Sequence, residues 1–203
     1  AVQDLMKKRT TKPFVFSVPS GNFGNLCAGL VAHKMGLPIA HFVASTNVND
    51  TFPRYMEAGV FTPKPSLQTI SNAMDVGNPS NFDRIQKLFN YDLFKLKTIC
   101  SAYAFNDKET RAAMTEVFKN YNYVADPHGA VGYLGLTKYM DSNPDVQGVF
   151  LETAHPVKFL DVVEQTLKEK VDIPEQIQSI MDKESVKKSI KSYEDLKSTL
   201  INS

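Results

Sequence analysis

Residues 14–44 read FVFSVPSGNFGNLCAGLVAHKMGLPIAHFVA. Phe14 to Val18 is a short run of apolar, β-favouring residues, and Pro19 to Asn25 is rich in turn formers. Leu26 to Met35 is apolar nearly all round, which predicts a buried helix, and Gly36 with Pro38 is its stop signal. Ile39 to Ala44 reads as the next strand. Strand, glycine turn, helix and strand make a βαβ unit, whose two strands must be parallel because the helix carries the chain back to the starting edge.

The pattern continues outward from this unit. Thr46 to Asp50 is a polar loop at the end of the second strand. Pro53 falls in the first turn of a short helix that Gly59 closes. From Val60 to Ser80 the chain is rich in Pro, Ser, Thr and Asn and reads as ordered loop with short helical turns at most. Asn81 to Asn90 is helical, with Ile85, Leu88 and Phe89 on one face. Ile99 to Phe105 is a third strand. Asp107 is the expected N-cap of a helix in which Met114, Val117, Phe118 and Tyr121 recur at helical spacing. A helix over Pro127 to Met140 follows, with Gly129, Ala130 and Gly132 in its first turns. Val146 to Glu152 is a fourth strand. The next helix starts near Pro156 and buries Phe159, Leu160, Val163 and Leu167. Such alternation predicts an α/β fold, an open, mostly parallel twisted sheet with helices on both faces. Residues 1–170 form the main domain in this reading, and 171–203, amphipathic and rich in Lys and Glu, a peripheral helical tail. Ala1 to Lys8 reads as the middle of a helix, so the chain is expected to be a cut piece.

Composition narrows the function classes. The 203 residues are 42% hydrophobic and 22% charged, with 23 basic against 22 acidic side chains and a net charge of +1. That balance gives no electrostatic case for nucleic acid or an anionic membrane. The basic run Lys7-Lys8-Arg9 with Lys12 reads as a solvated helix end. Cys27 and Cys100 are the two cysteines, which excludes a disulfide scaffold and suits a reducing compartment. No Cys/His cluster has metal-ligand spacing, so no metal is expected. No apolar stretch is long enough to span a bilayer, and no secretory signal opens the chain.

Ligands of open α/β sheets bind at the C-terminal ends of the strands, where three polar segments fall. The first is Ser20-Gly21-Asn22-Phe23-Gly24-Asn25, between a strand and a helix. Its glycines permit close backbone approach, and the free N–H groups of the helix start favour an anion. With no basic residue in the loop, a phosphate there would be held by backbone dipoles and Ser and Asn side chains. It is neither a Walker loop nor a GxGxxG fingerprint, and the plain alternative is a βα connection. The second segment, Thr46 to Thr51 with Arg54 beyond it, places Asn47 and Asn49 at the mouth of the site, while Asp50 fits a helix cap. The third is Glu152 to Phe159, in which the Thr153 hydroxyl could bond a ligand or cap the helix at Pro156. His128, in Asp126-Pro127-His128-Gly129, fits packing or capping better than catalysis. No nucleophile elbow or Ser/His/Asp set supports hydrolase chemistry.

Four strings carry a resemblance. Val18–Asn25 (VPSGNFGN), Ala44–Thr51 (ASTNVNDT), Leu67–Asp75 (LQTISNAMD) and Thr153–Phe159 (TAHPVKF) are similar to the threonine synthases of the bacterial and fungal type, in that family's order and approximate spacing. The likeness runs to about residue 170. It implies the C-terminal half of a fold-type II pyridoxal-phosphate (PLP) lyase that converts O-phospho-L-homoserine and water to L-threonine and phosphate in the cytoplasm. Carried over by position, Ser20, Gly21, Asn22, Phe23, Gly24 and Asn25 hold the cofactor phosphate. Thr153 faces the pyridine nitrogen, which sets its capping role aside. Asn47, Asn49, Asp50, Arg54, Asn72 and Asp75 are candidates for the substrate side.

One departure from the family is an absence. Its Schiff-base lysine stands in an N-terminal Ser-Phe-Lys-Asp context that no lysine here occupies, and Lys158 of the TAHPVKF string is not that residue. No catalytic residue is therefore assigned to this chain, which is expected to be inactive alone. Its surface, left open by the missing domain, is expected to drive self-association. A threonine synthase-like phospho-lyase and a non-catalytic α/β module for phosphorylated ligands stay open. A threonine dehydratase fits less well, since its phosphate loop is more uniformly glycine.

Overall fold

A computed structural model describes residues 12–181, 183–184 and 187–202. The helix expected over Ala1 to Lys8 and the run Lys7-Lys8-Arg9 lie outside the described residues. Residues up to Val171 belong to one compact unit and Asp172–Ser203 to a second.

In the first unit, β1 (Phe14–Pro19), β2 (His41–Thr46), β3 (Cys100–Ala104) and β4 (Gln147–Phe150) form one sheet in the order β3-β2-β1-β4, and each strand pair is parallel. Between them run α1 (Gly24–Lys34), α2 (Thr51–Ala58), α3 (Phe82–Leu88), α4 (Leu93–Ile99), α5 (Asp107–Tyr121) and α6 (Pro127–Ser142), and α7 (Leu160–Leu167) follows β4. Asn72–Met74 and Pro156–Phe159 are short 3-10 turns. The second unit holds α8 (Glu175–Met181) and α9 (Tyr193–Ile201), the latter capped by the Ser192 hydroxyl on the Asp195 N–H.

Both faces of the sheet are covered, which is why β1 and β2 are buried at every position rather than alternately. Phe14, Phe16 and Val18 point into a core with Leu26, Leu30, Phe42, Phe52 and Leu96. Val15 and Val43 point the other way, onto Leu136 of α6. On that second face small residues let α6 come close. Ser17 Oγ donates to the Gly132 carbonyl at 2.6 Å, and a Cβ on Gly135 would lie 1.8 Å from Ser45 Oγ. At the far side of the sheet, buried His41 stacks on Tyr139 and contacts Ser101 Oγ through Nε2 at 2.9 Å; burial lowers its pKa to about 4, so it stays neutral at pH 7.

Several sequence expectations are corrected. Helix α1 buries Leu26 and Leu30 only, while Val31 and Met35 stand exposed, since it packs one stripe on the sheet and no described element covers its outer side. Pro38 delays β2, so Ile39 and Ala40 precede the strand instead of opening it. Helix α4, which takes in Ile99, ends where β3 begins, and its seven residues are too few for the spacing of Leu93, Leu96 and Ile99 to announce it; its clearer signal is Asp92, whose side chain accepts the Lys95 N–H. Asp107 is not the cap of α5. Asn106 is, in a reciprocal capping box with Glu109, and Asp107 is the first helical residue. Tyr121 is exposed rather than in the core, and of the residues expected to be buried beyond Pro156 only Val163 is fully buried.

Candidate functional site

The loop after β1 is the most open chemistry in the molecule. Among the described residues, the backbone N–H groups from Gly21 through Leu26 donate to nothing, whereas Ser20 N–H still bonds the Ser45 carbonyl at 2.8 Å and Cys27 N–H begins the α1 ladder. Asn22, Gly24 and Asn25 are exposed, and Ser20 Oγ turns inward to the Val18 carbonyl at 2.8 Å. Phe23 sits at the N-cap with φ 59°, a left-handed conformation costly for an aromatic residue. Its ring is held 4.6 Å from that of Phe52, within a cluster that includes Tyr55, Phe61 and Phe82. A run of unpaired N–H groups at a helix start is what an anion requires.

The loop is braced from outside by two segments. The Asn22 side-chain carbonyl accepts the Ser80 N–H at 2.5 Å, and Asn81 Nδ2 donates to the Asn22 carbonyl at 2.8 Å. The 3-10 turn at Asn72–Met74 crosses directly over Gly21, where a Cβ would meet Met74 Cα at 2.6 Å. Glycine is therefore required there for close approach, not for its dihedral freedom.

Asn47, Asn49 and Asp75 are brought together, but as one internal network. Asp75 Oδ1 accepts from Asn47 Nδ2 at 2.9 Å and from Thr69 Oγ1 at 2.7 Å, and its Oδ2 accepts the Thr69 N–H at 3.0 Å. Asn49 bonds both backbone groups of Leu67, and its Nδ2 also donates to Asn47 Oδ1 at 2.9 Å. These side chains tie residues 67–75 to the end of β2. Asp50 and Arg54 lie apart from them on α2. Asp50 occupies the N-cap without capping, because its Oδ1 accepts from Arg54 Nε at 2.8 Å, and Arg54 also reaches the Thr62 carbonyl. Asn72 is exposed on its turn. Thr153 is exposed beyond β4 and makes no hydrogen bond among the described residues; the cap of the following turn is His155, whose Nδ1 accepts the Val157 N–H.

Residue types alone do not reveal a carboxyl pair at the start of α6. Asp126 is fully buried as the cap of α6, with Pro127 at the first helical position. Its Oδ1 lies 2.6 Å from both the backbone N and Nδ1 of His128. Burial pushes the Asp126 carboxyl upward, but the His128 and Glu152 contacts outweigh it and leave the group below its ordinary value. Glu152, at the end of β4, is pushed up to about 9 by burial and by Asp126 beside it. The cap was legible in Asp-Pro-His; the partnership with Glu152 was not, because the two residues are distant in sequence.

A cavity of about 980 Å³ runs along β4 and α6, lined by Tyr121, Tyr133, Leu136, Met140 and Phe150 among others, with no residue of the glycine loop. It is a trench beside an edge strand, and the loop geometry is the better guide to chemistry. No metal-binding cluster occurs among the described residues, and no described helix is long and apolar enough to cross a membrane.

Comparison with known proteins gives these features a setting. The crystal structure of threonine synthase from Escherichia coli superposes on all of this chain and 46% of its own, with TM-score 0.87 and 40% identity. The structure of PLP-bound threonine synthase from Brucella melitensis covers 90% of this chain and 44% of its own, with TM-score 0.81 and 29% identity. Parallel sheet, crossover helices and glycine loop thus define the fold of the fold-type II pyridoxal-phosphate enzymes. A family model described as threonine synthase, C-terminal, matches residues 129–200. Threonine synthase of Escherichia coli is 44% identical over 172 residues, 85% of this chain. The chain belongs to the threonine synthase family, and it spans 39–41% of the length of the curated relatives it matches.

Proposed function

We propose that this chain forms the cofactor-phosphate and ring-nitrogen side of a threonine synthase, which uses PLP to convert O-phospho-L-homoserine and water to L-threonine and phosphate. The Schiff-base lysine comes, in this reading, from a segment outside the chain. The observation that carries it is the run of unpaired backbone N–H groups from Gly21 to Leu26 at the start of α1. This run fits a phosphate dianion without a basic side chain, through backbone dipoles and the helix terminus.

PLP, when bound, supplies an electron sink for carbanion chemistry at the substrate. The chain's own residues bind and orient. The Gly21–Leu26 amides hold the phosphate, and the Phe23–Phe52 packing keeps them pointed as a group. The Ser20 hydroxyl has already spent its proton on Val18, so Ser20 shapes the loop rather than donating to the anion. Thr153 offers a neutral hydroxyl to the ring nitrogen, which, unlike a carboxylate, does not hold that nitrogen protonated. Asn47, Asn49 and Asp75 fix residues 67–75 and leave Asn72 exposed toward substrate. Asp50 and Arg54 brace one another at the start of α2.

The test compares PLP absorbance of this chain with that of a version extended to include the family's N-terminal part. Only the extended protein should show lysine-bound cofactor that borohydride fixes covalently. Fixation to a lysine of this chain alone would refute the assignment of that lysine to another segment. Failure of both to bind PLP would favour a non-catalytic module. We also infer that the chain alone self-associates, because β4 ends the sheet beside an apolar trench. Gel filtration across a concentration series should show oligomers for the chain alone; a strictly monomeric profile would count against it.

A further inference from the structure

A line of hydrogen-bonding groups runs from the end of β4 to the cover of the glycine loop. His128 Nε2 accepts the Ala73 N–H at 3.2 Å, so that nitrogen carries no hydrogen. The ring hydrogen must then sit on Nδ1, which donates to Asp126 Oδ1 at 2.6 Å, and the imidazole is neutral. Asp126 Oδ2 and Glu152 Oε1 are both buried and receive no donor among the described residues. Both carboxyl groups lie at the first turn of α6, Asp126 as its cap and Glu152 against Gly129, close enough for each to act on the other's charge. Two ionised carboxylates side by side in the interior repel, and while Asp126 Oδ1 has the two His128 donors, Asp126 Oδ2 and Glu152 Oε1 lack any donor that would offset their desolvation. One proton between them removes both penalties. Glu152 is also packed against the first turn of α6, where a Cβ on Gly129 would meet its carboxyl oxygen at 2.0 Å.

We propose that Asp126 and Glu152 share a single proton, and that the chain Glu152–Asp126–His128–Ala73 is a positioning device joining the two ends of the cofactor site. At one end it holds the 3-10 turn that lies on Gly21. At the other it anchors the residue next to Thr153. The significance of the device rests on the function proposed above, but the shared proton does not.

The titratable groups facing the pair are His128 from α6 and the Tyr123 phenol from the segment before it; no lysine or arginine contributes among the described residues. The sign follows. Glu152 is raised in the folded chain, so the folded state holds a proton that the unfolded chain releases above the ordinary carboxylate range. Glu152's contribution declines as pH rises above the ordinary carboxylate range and is lost as pH passes about 9. Asp126, held below its ordinary value, instead loses its contribution as pH falls below that range, so the pair contributes most near the ordinary carboxylate range.

Carboxyl and imidazole NMR of the labelled chain, with no cofactor added, tests this independently of PLP chemistry. Glu152 should be protonated at pH 7, His128 should carry its hydrogen on Nδ1, and the Ala73 amide shift should follow the Glu152 titration. Asp126→Asn supplies a donor from its amide while keeping the acceptor for His128, so Glu152 should titrate clearly lower than in the parent chain, with the part of the shift that burial causes remaining. Glu152→Gln keeps a donor toward Asp126; it should leave the Ala73 amide protected and abolish its pH response. Glu152→Ala should speed exchange of that amide about tenfold. An ionised Glu152 at pH 7 overturns the shared proton. Equal acceleration in the Gln and Ala variants overturns the positioning role.

Discussion

Replacing Phe52 with alanine should destabilise the first unit by about 3–5 kcal/mol, the range for deleting a fully buried aromatic side chain. Phe52 has no exposed surface and meets the rings of Phe23, Tyr55 and Phe82. Part of the loss is area and dispersion; part is the cavity left among rings that cannot collapse onto one another without breaking their edge-to-face contacts. Phe23 gives the change a functional side. Its left-handed backbone persists because the surrounding rings fix its side chain. With Phe52 gone, Phe23 is free to leave that conformation and the amides on either side of it no longer converge. Thermal or urea unfolding of Phe52→Ala should therefore show a melting temperature lower by about 10 °C or more. A loss below about 1 kcal/mol would mean that the aromatic cluster repacks.

The second large effect belongs to Gly21. A methyl group there would sit 2.6 Å from Met74 Cα and 3.0 Å from the Ala73 carbonyl oxygen, so backbone on one side of the crossing must move. Overpacking of this kind costs about 1–3 kcal/mol. Because the strain falls on the loop proposed to hold the cofactor phosphate, Gly21→Ala in the extended protein should weaken PLP binding by about 10- to 100-fold, as read by cofactor titration. Unchanged affinity would place the phosphate elsewhere.

Much of the architecture could be read from residues 14–44. A run of apolar residues, a glycine turn and a helix stop, repeated in register with later strands, specifies parallel strands and crossover helices with little ambiguity. The loop could be read as an anion site because a glycine-bearing turn between strand and helix leaves amides free whatever the side chains are. What escaped was relational. Asn47, Asn49 and Asp75 each look ready for a ligand in isolation, and only the folded positions of Leu67 and Thr69 reveal that their donors and acceptors are occupied. Asp126 and Glu152 share no local pattern at all. Helix α4 is too short for its periodicity to stand out, and the exposed face of α1 looks in sequence like a core face. Local signals find elements; partnerships across the fold need coordinates.

The register of β1 has a consequence for the order in which the site comes into being. Phe16 pairs on one side with Phe42, a short crossover away, and on the other with Val149, near the far end of the domain. Closing the first pairing orders a small loop of chain, whereas closing the second must wait for nearly the whole domain and restricts a far larger one. During synthesis, the glycine loop and its supporting strands can therefore settle while β4 is still inside the ribosome. The glycine loop is an early structure, and the segment that carries Thr153, beyond β4, joins the sheet later.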